Sequence, residues 1–112
     1  MKTVSILLLN QLNIGGLENA RQGFLESNNY LRMMGKSPAF NVELVGSDKE
    51  VKVDEGLYAI RAQKNIRELS KTDIIVIPPI KGDKIQEAIE QNLAFLPWIV
   101  DQYHKGAEVV SL

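Results

Sequence analysis

The chain has 112 residues, with 13 Lys and Arg against 14 Asp and Glu, a formal net charge of -1 and no cysteine. That length suits one domain, the mixed charge offers no basic face for gripping DNA or RNA, and the missing cysteine excludes disulfides and thiol nucleophiles among these residues. Apolar content of 45% fits a globular domain. No apolar run approaches the ~20 residues that cross a bilayer. Met1 to Ile6 lead straight into a strand-like stretch rather than the longer apolar core of a secretory signal, so the expected location is cytoplasmic.

Val4–Leu9 (VSILLL) is apolar apart from Ser5 and predicts a strand buried on both faces. Asn10–Gly16 carries two asparagines and a glycine pair, which is turn chemistry. Leu17, Ala20, Phe24, Leu25, Leu31 and Met34 then recur at helical spacing, with Gly35 as the stop. Ser27-Asn28-Asn29 either interrupts this helix or lies on its wet face. After a loop at Lys36-Ser37-Pro38, Ala39–Val45 alternates as a half-buried or edge strand. Val51 and Val53, alternating with charges, and Leu57–Ala62 predict a small β excursion. Gln63–Ser70 reads as a connector with at most one helical turn.

Thr72–Gly82 (TDIIVIPPIKG) is the centre of the pattern. Ile74-Ile75-Val76-Ile77 is a short, continuous, β-branched run, as expected of a central parallel strand. Ligands of open α/β sheets sit at the carboxyl ends of such strands, so the Pro78-Pro79-Ile80 turn is where a site is expected. Asp83 and Gln86 have capping-box spacing ahead of an Ile85, Ala88, Ile89 stripe. A second helix over about Leu93–Lys105 is expected to turn Leu96, Ile99, Val100 and Tyr103 inward, with Gly106 at its end. Pro97 is compatible with it only in the first turn or at a kink. Glu108–Leu112 is a last strand, either central and lacking cover on its far side or a terminal edge. The order β-α-β-(β-β)-β-α-β predicts a mostly parallel sheet with helices on both faces, joined by right-handed crossovers.

Three segments resemble one family. Gln22-Gly23-Phe24-Leu25-Glu26-Ser27-Asn28 is similar to an acidic-Val-Phe-x-x-Ala-Asn helix segment. TDIIVIPPI is similar to an Asp-x-Leu-Val-Val-Pro-Gly-Gly strand and turn. Trp98-Ile99-Val100 with Lys105–Leu112 is similar to a Trp-Leu helix and the strand that enters a nucleophile elbow. Together they resemble the ThiJ/PfpI superfamily of class I glutamine-amidotransferase-like domains, most of all the N-terminal domain of AraC-type transcription regulators. The resemblance implies a flavodoxin-like three-layer sandwich, incomplete at the C-terminus. Residues 1–112 would be the N-terminal part of one such domain, with a DNA-binding helix-turn-helix domain outside this chain. The family's next residues would be a cysteine, a small residue and a glycine.

Family enzymes place the backbone N–H groups of the Gly-Gly turn where negative charge develops. The matching residues here are Pro79 and Ile80, and proline has no N–H. The resemblance also puts a helix carboxylate beside the cysteine; the matching residue is Gln22, which cannot ionise. Glu18 and Glu26 would serve only after a shift of one helical turn, and read better as solvated helix residues. His104, the single histidine, reads as a helix C-terminal cation, and no cluster has metal-ligand spacing. Lys81 and Lys84 either meet an anionic ligand or are solvated. Tyr30, Trp98 and Tyr103 read as core or interface, and Gly15-Gly16 lacks the pattern of a phosphate loop.

The expectation is therefore a non-catalytic ligand-sensing or dimerising fragment of a transcription regulator, with no catalytic residue, metal or cofactor. Its pocket is expected at Asn13, Gln22, Pro78, Pro79 and Ile80. A small-molecule effector, a homodimer and DNA contact through the helix-turn-helix domain are the expected partnerships, with no membrane. The alternative is a ThiJ/PfpI-type cysteine enzyme, an amidase, hydratase or glyoxalase-like lyase, whose nucleophile lies beyond Leu112. A free-standing flavodoxin-like binding domain is a third reading.

Overall fold

The structure is a computed structural model that describes residues 1–112. Strand β1 (Lys2–Leu7) leads into helix α1 (Ile14–Met33), then β2 (Phe40–Gly46), a hairpin of β3 (Glu50–Val53) and β4 (Tyr58–Arg61), and the two-residue β5 (Lys64–Asn65). Strand β6 (Ile74–Ile77), a 3₁₀ turn, helices α2 (Ile85–Gln91) and α3 (Phe95–His104), and β7 (Glu108–Ser111) complete it. The main sheet has the order β5-β2-β1-β6-β7 and is parallel throughout. β3 and β4 pair with each other as an antiparallel ribbon, the predicted excursion.

Val4, Ser5, Ile6 and Leu7 are all fully buried, as a strand covered on both faces requires. Ser5 is satisfied by a 2.8 Å hydroxyl contact with Thr72. From β1 the chain crosses through α1 to β2; from β6 it crosses through α2 and α3 to β7, in the opposite direction along the sheet. Right-handed crossovers running in opposite directions put α1 on one face and α2 with α3 on the other. The switch point lies between β1 and β6.

Asn13 caps α1, its Oδ1 accepting from Gly16 N–H at 3.0 Å. The helix ends in a Schellman turn: Lys36 N–H donates to Leu31 O, Gly35 N–H to Arg32 O, and Gly35 takes φ 74°. The Ser27-Asn28-Asn29 cluster does not break α1. Asn28 is buried, donating to Phe40 O at 2.8 Å and accepting from Ala39 and Phe40 N–H at 3.1 Å each. It pins the start of β2 to the helix, helped by an edge-to-face Phe24–Phe40 contact at 5.0 Å.

Other expectations change. Asp83 lies within the 3₁₀ turn, and neither that turn nor α2 has a side-chain cap, so no capping box forms. Ala88 alone of the α2 stripe is buried; Ile85 and Ile89 are exposed. In α3, Pro97 falls in the first turn, where no intrahelical N–H bond is lost. The inward face is Phe95, Trp98, Ile99 and Gln102, while Leu96, Val100 and Tyr103 point outward. Gln102 is fully buried because its amide is satisfied: Oε1 accepts from Thr72 N–H at 2.9 Å and Nε2 donates to Ser70 O at 3.0 Å. Gln63–Ser70 is not a mere connector, since Lys64 and Asn65 add β5 beside β2. β7 stands last in the strand order that these residues form.

Candidate functional site at the sheet end

The carboxyl ends of β1 and β6 converge at the switch point, where open α/β sheets hold ligands. After β1 the chain stays buried through Leu8 and Leu9, then turns at Gln11, whose φ is 63°. A side chain other than glycine in this left-handed region is uncommon, and such positions gather at functional sites. The two loops are stitched together. Asn13 N–H donates to Pro79 O at 2.8 Å, Lys81 N–H donates to Gln11 O at 2.9 Å, and Leu12 bridges Ile80 between them. Ile80 N–H, directed away from Leu12 in such a bridge, is the donor that remains at this turn.

Gly16 is needed by a close approach. A Cβ there would stand 2.3 Å from Pro79 Cγ and 2.6 Å from Cδ, so the first turn of α1 rests directly on the proline ring. Beyond this contact a trough of about 430 Å³ runs between α1 and the strands, lined by Gly16, Asn19, Ala20, Phe24, Val76, Pro79, Val110 and Leu112. On the opposite face, a groove of about 270 Å³ lies among Ile77, Ile80, Ile85, Ile89, Leu96 and their neighbours. The largest cleft, about 580 Å³, is elsewhere, between the hairpin and β5, with mostly charged and polar walls. Small-molecule pockets are mainly apolar with a few polar groups, which favours the trough.

The five predicted pocket residues take different places. Pro79 lines the trough, Ile80 lines the opposite groove, and Pro78 is buried between the two faces. Asn13 spends its oxygen on the helix cap. Gln22 is exposed and donates to Glu18 at 3.0 Å, away from the trough wall. Glu18 is chiefly the partner of Arg21, 2.6 Å away, and that hydrogen bond holds its carboxyl down to about 2. Glu26 is exposed.

Neither lysine of the turn is free. Lys81 reaches Asp54 at 2.8 Å and Lys84 reaches Glu87 at 3.6 Å. The hydrogen bond to Asp54 raises the Lys81 ammonium pKa. Asp54 belongs to the hairpin turn, where Asp54, Glu55 and Gly56 all take positive φ, so the hairpin tip is tied to the sheet end. His104 sits in the last turn of α3, as the dipole reading expects. Trp98 donates from Nε1 to Leu69 O at 3.0 Å, whereas Tyr30 and Tyr103 are exposed. Sequence reasoning missed Gly16 and the Asp54 tie. The Asn-x-x-Gly spacing ahead of α1 signals the cap, but only tertiary structure brings Pro79 onto Gly16.

No protein-family model and no curated protein matches the sequence. Solved structures do match its fold. A candidate transcriptional regulator from Vibrio parahaemolyticus superposes with a TM-score of 0.77 at 16% identity, over 98% of this chain and 55% of that one. An AraC family transcriptional regulator from Pseudomonas putida gives 0.72 at 17%, over 99% and 55%. Oxidized DJ-1 from Toxoplasma gondii gives 0.65 at 14%, again over 99% and 55%. The chain thus has the flavodoxin-type α/β fold of DJ-1/ThiJ/PfpI proteins and of AraC-family regulator domains, and spans about half the length of these structures. At such identities the likeness is one of fold.

Proposed function

We propose that residues 1–112 are the N-terminal part of a non-catalytic, ligand-sensing domain of an AraC-type transcription regulator. The observation that carries this is Pro79 seated on Gly16 at the switch point. A catalytic turn there needs convergent N–H donors, and the proline removes one while its ring forms an apolar wall. Gln22, unable to ionise, stands where the family resemblance sets a carboxylate. The two regulators that share the fold support the assignment.

In this reading a small, largely apolar effector enters the trough and is met by Asn19 at the rim and the Pro79 ring at the wall. Its binding shifts the domain between arrangements by its differential affinity for them. DNA is contacted by a helix-turn-helix domain outside these residues, in a cytoplasmic homodimer.

A thermal-shift screen of small molecules against the wild type and Ala20→Trp, which fills the trough, tests it. A ligand at a hundred times its Kd adds about 2.7 kcal/mol, or roughly 10 °C for a domain of this size. That shift should be lost in Ala20→Trp. Turnover of amides or α-oxoaldehydes by the protein carrying these residues, abolished by the same substitution, would establish the cysteine-enzyme alternative instead.

A further inference from the structure

β3 and β4 pair only with each other. Their base is fixed to the main sheet. Ala62 N–H donates to Lys49 O at 2.9 Å, Gln63 N–H donates to Leu44 O at 2.8 Å, and a Cβ on Gly46 would stand 3.0 Å from Ala62 Cβ. Beyond this base, residues 50–61 make a single hydrogen bond to the rest of residues 1–112, from Lys81 Nζ to Asp54 Oδ1 at 2.8 Å. Lys81 follows the end of β6, and its N–H is bonded to Gln11 O in the loop after β1. The ribbon therefore runs from the carboxyl end of β2 across that of β1 to that of β6, over the position where open α/β sheets bind their ligands.

Two contacts hold the ribbon down. Along β3, Glu50 and Lys52 are exposed, while Val51 and Val53 are buried and join the core cluster of Leu8, Leu9 and Leu12. Asp54, next in the chain, supplies the carboxylate for Lys81. The tip works against both. Asp54, Glu55 and Gly56 stand at φ 52°, 55° and 85°, and the left-handed region is unfavourable for the first two. A two-stranded ribbon is marginal by itself, and a partly exposed ion pair contributes little. Few buried contacts and few hydrogen bonds to the body make this the segment that opens most readily at the sheet end.

We propose that the hairpin is a built-in stand-in for a ligand of the sheet end: Val51, Val53 and Asp54 occupy the place of a small molecule with an apolar body and a carboxylate head. Such a ligand enters when the ribbon swings out about its Gly46–Ala62 base. Its alkyl part covers the apolar surface that the two valines leave, and its carboxylate replaces Asp54 on Lys81. Asp54 and Glu55, which both act on the Lys81 ammonium in the closed form, depart with the tip and leave that charge open to an anion. The ligand binds only the open form and so raises its population. This site is separate from the trough assigned to sensing, none of whose walls belongs to the hairpin or to Lys81.

Amide hydrogen exchange and heteronuclear NMR titration of the protein carrying these residues test it, with hexanoate, hexanol and acetate as probes at constant ionic strength. Hexanoate should shift the Lys81 and Val53 amides and speed exchange in β3 and β4, while β1 and β6 stay protected. Hexanol lacks the head and acetate lacks the body, so both should bind more weakly. Lys81→Met should reduce hexanoate to the level of hexanol, about tenfold, as the loss of one charge-assisted hydrogen bond implies. Asp54→Ala removes the competing carboxylate and should tighten hexanoate severalfold. Both variants loosen the hairpin, so their opposite effects on hexanoate isolate the exchange of one carboxylate for another. Equal effects of the two variants overturn the proposal, as does hexanoate binding no better than hexanol, or binding that leaves exchange in β3 and β4 unchanged. Ala20→Trp should not alter hexanoate binding; a loss there moves the ligand to the trough and overturns this site. Absence of any hexanoate binding overturns this site and leaves the trough assignment standing.

Discussion

Asn28→Ala is the sharpest test of how α1 holds the sheet. The Asn28 amide makes three hydrogen bonds to the Ala39-Phe40 backbone, at 2.8, 3.1 and 3.1 Å, where the chain enters β2. The residue is 3% exposed, so water replaces the lost partners poorly. Each such bond is worth about 0.5 to 1.5 kcal/mol net, which makes about 3 kcal/mol for the three. Alanine returns roughly 0.6 kcal/mol of helix propensity. The expected loss is about 2 to 3 kcal/mol, a fall in Tm of roughly 10 °C. Urea unfolding followed by far-UV circular dichroism should show a lower midpoint at an unchanged m value. Asn29→Ala is the control: Asn29 is exposed and accepts only from Arg32 Nη1, so it should change stability by less than about 0.5 kcal/mol. Asn28→Asp should fall between them, since it keeps an acceptor for the two N–H groups but turns a carboxylate on Phe40 O. If Asn28→Ala and Asn29→Ala cost the same, Asn28 does not anchor β2 and the reasoning fails.

Gly16→Ala drives a methyl into Pro79 and should cost about 1 to 3 kcal/mol as overpacking; a Pro79→Ala background should return most of that loss, and equal costs in both backgrounds would contradict the contact. Glu18, held down to about 2 chiefly by the Arg21 hydrogen bond, stabilises the fold above the unfolded carboxyl pKa and loses that contribution as pH falls toward 2. The pair is largely exposed, so Glu18→Gln should cost less than about 1 kcal/mol at pH 7 and nothing below pH 2; an equal deficit at both, measured by urea midpoint, would refute the assignment. Asp54→Asn weakens the tie to Lys81 and should speed amide exchange in β3 and β4 while leaving β1 and β6 protected. Gln102→Leu strands Thr72 N–H and leaves Ser70 O with Lys105 Nζ alone, and should cost about 2 kcal/mol, despite adding an apolar side chain to the core.

What the sequence displays well is what local chemistry decides. Continuous apolar runs at β1 and β6, the glycine stops at Gly35 and Gly106, and Pro97 in a first turn all report conditions a residue must meet within its own segment. The parallel sheet follows from their order. What it hides are the partners that reverse a residue's ordinary preference. Asn28 belongs by type on a wet face, yet it is buried because three backbone groups of β2 need it. Asp83 and Gln86 have the spacing of a capping box, yet the preceding 3₁₀ turn delays the helix to Ile85. At the site, the absence of a Pro79 N–H can be read from composition alone, whereas the seating of its ring on Gly16 requires two segments far apart in the chain to meet.

The misreading of α3 is the informative one. By hydrophobicity, Leu96, Ile99, Val100 and Tyr103 form the face to bury. The helix instead buries Phe95, Trp98, Ile99 and Gln102, because the Trp98 indole and the Gln102 amide find acceptors and a donor on the approach to β6. A satisfied polar side chain can enter a core at little cost, while a helix has only one inward face to offer. Once Gln102 takes that face, the rotation of the helix is fixed, and the more apolar stripe of Leu96, Val100 and Tyr103 is turned outward.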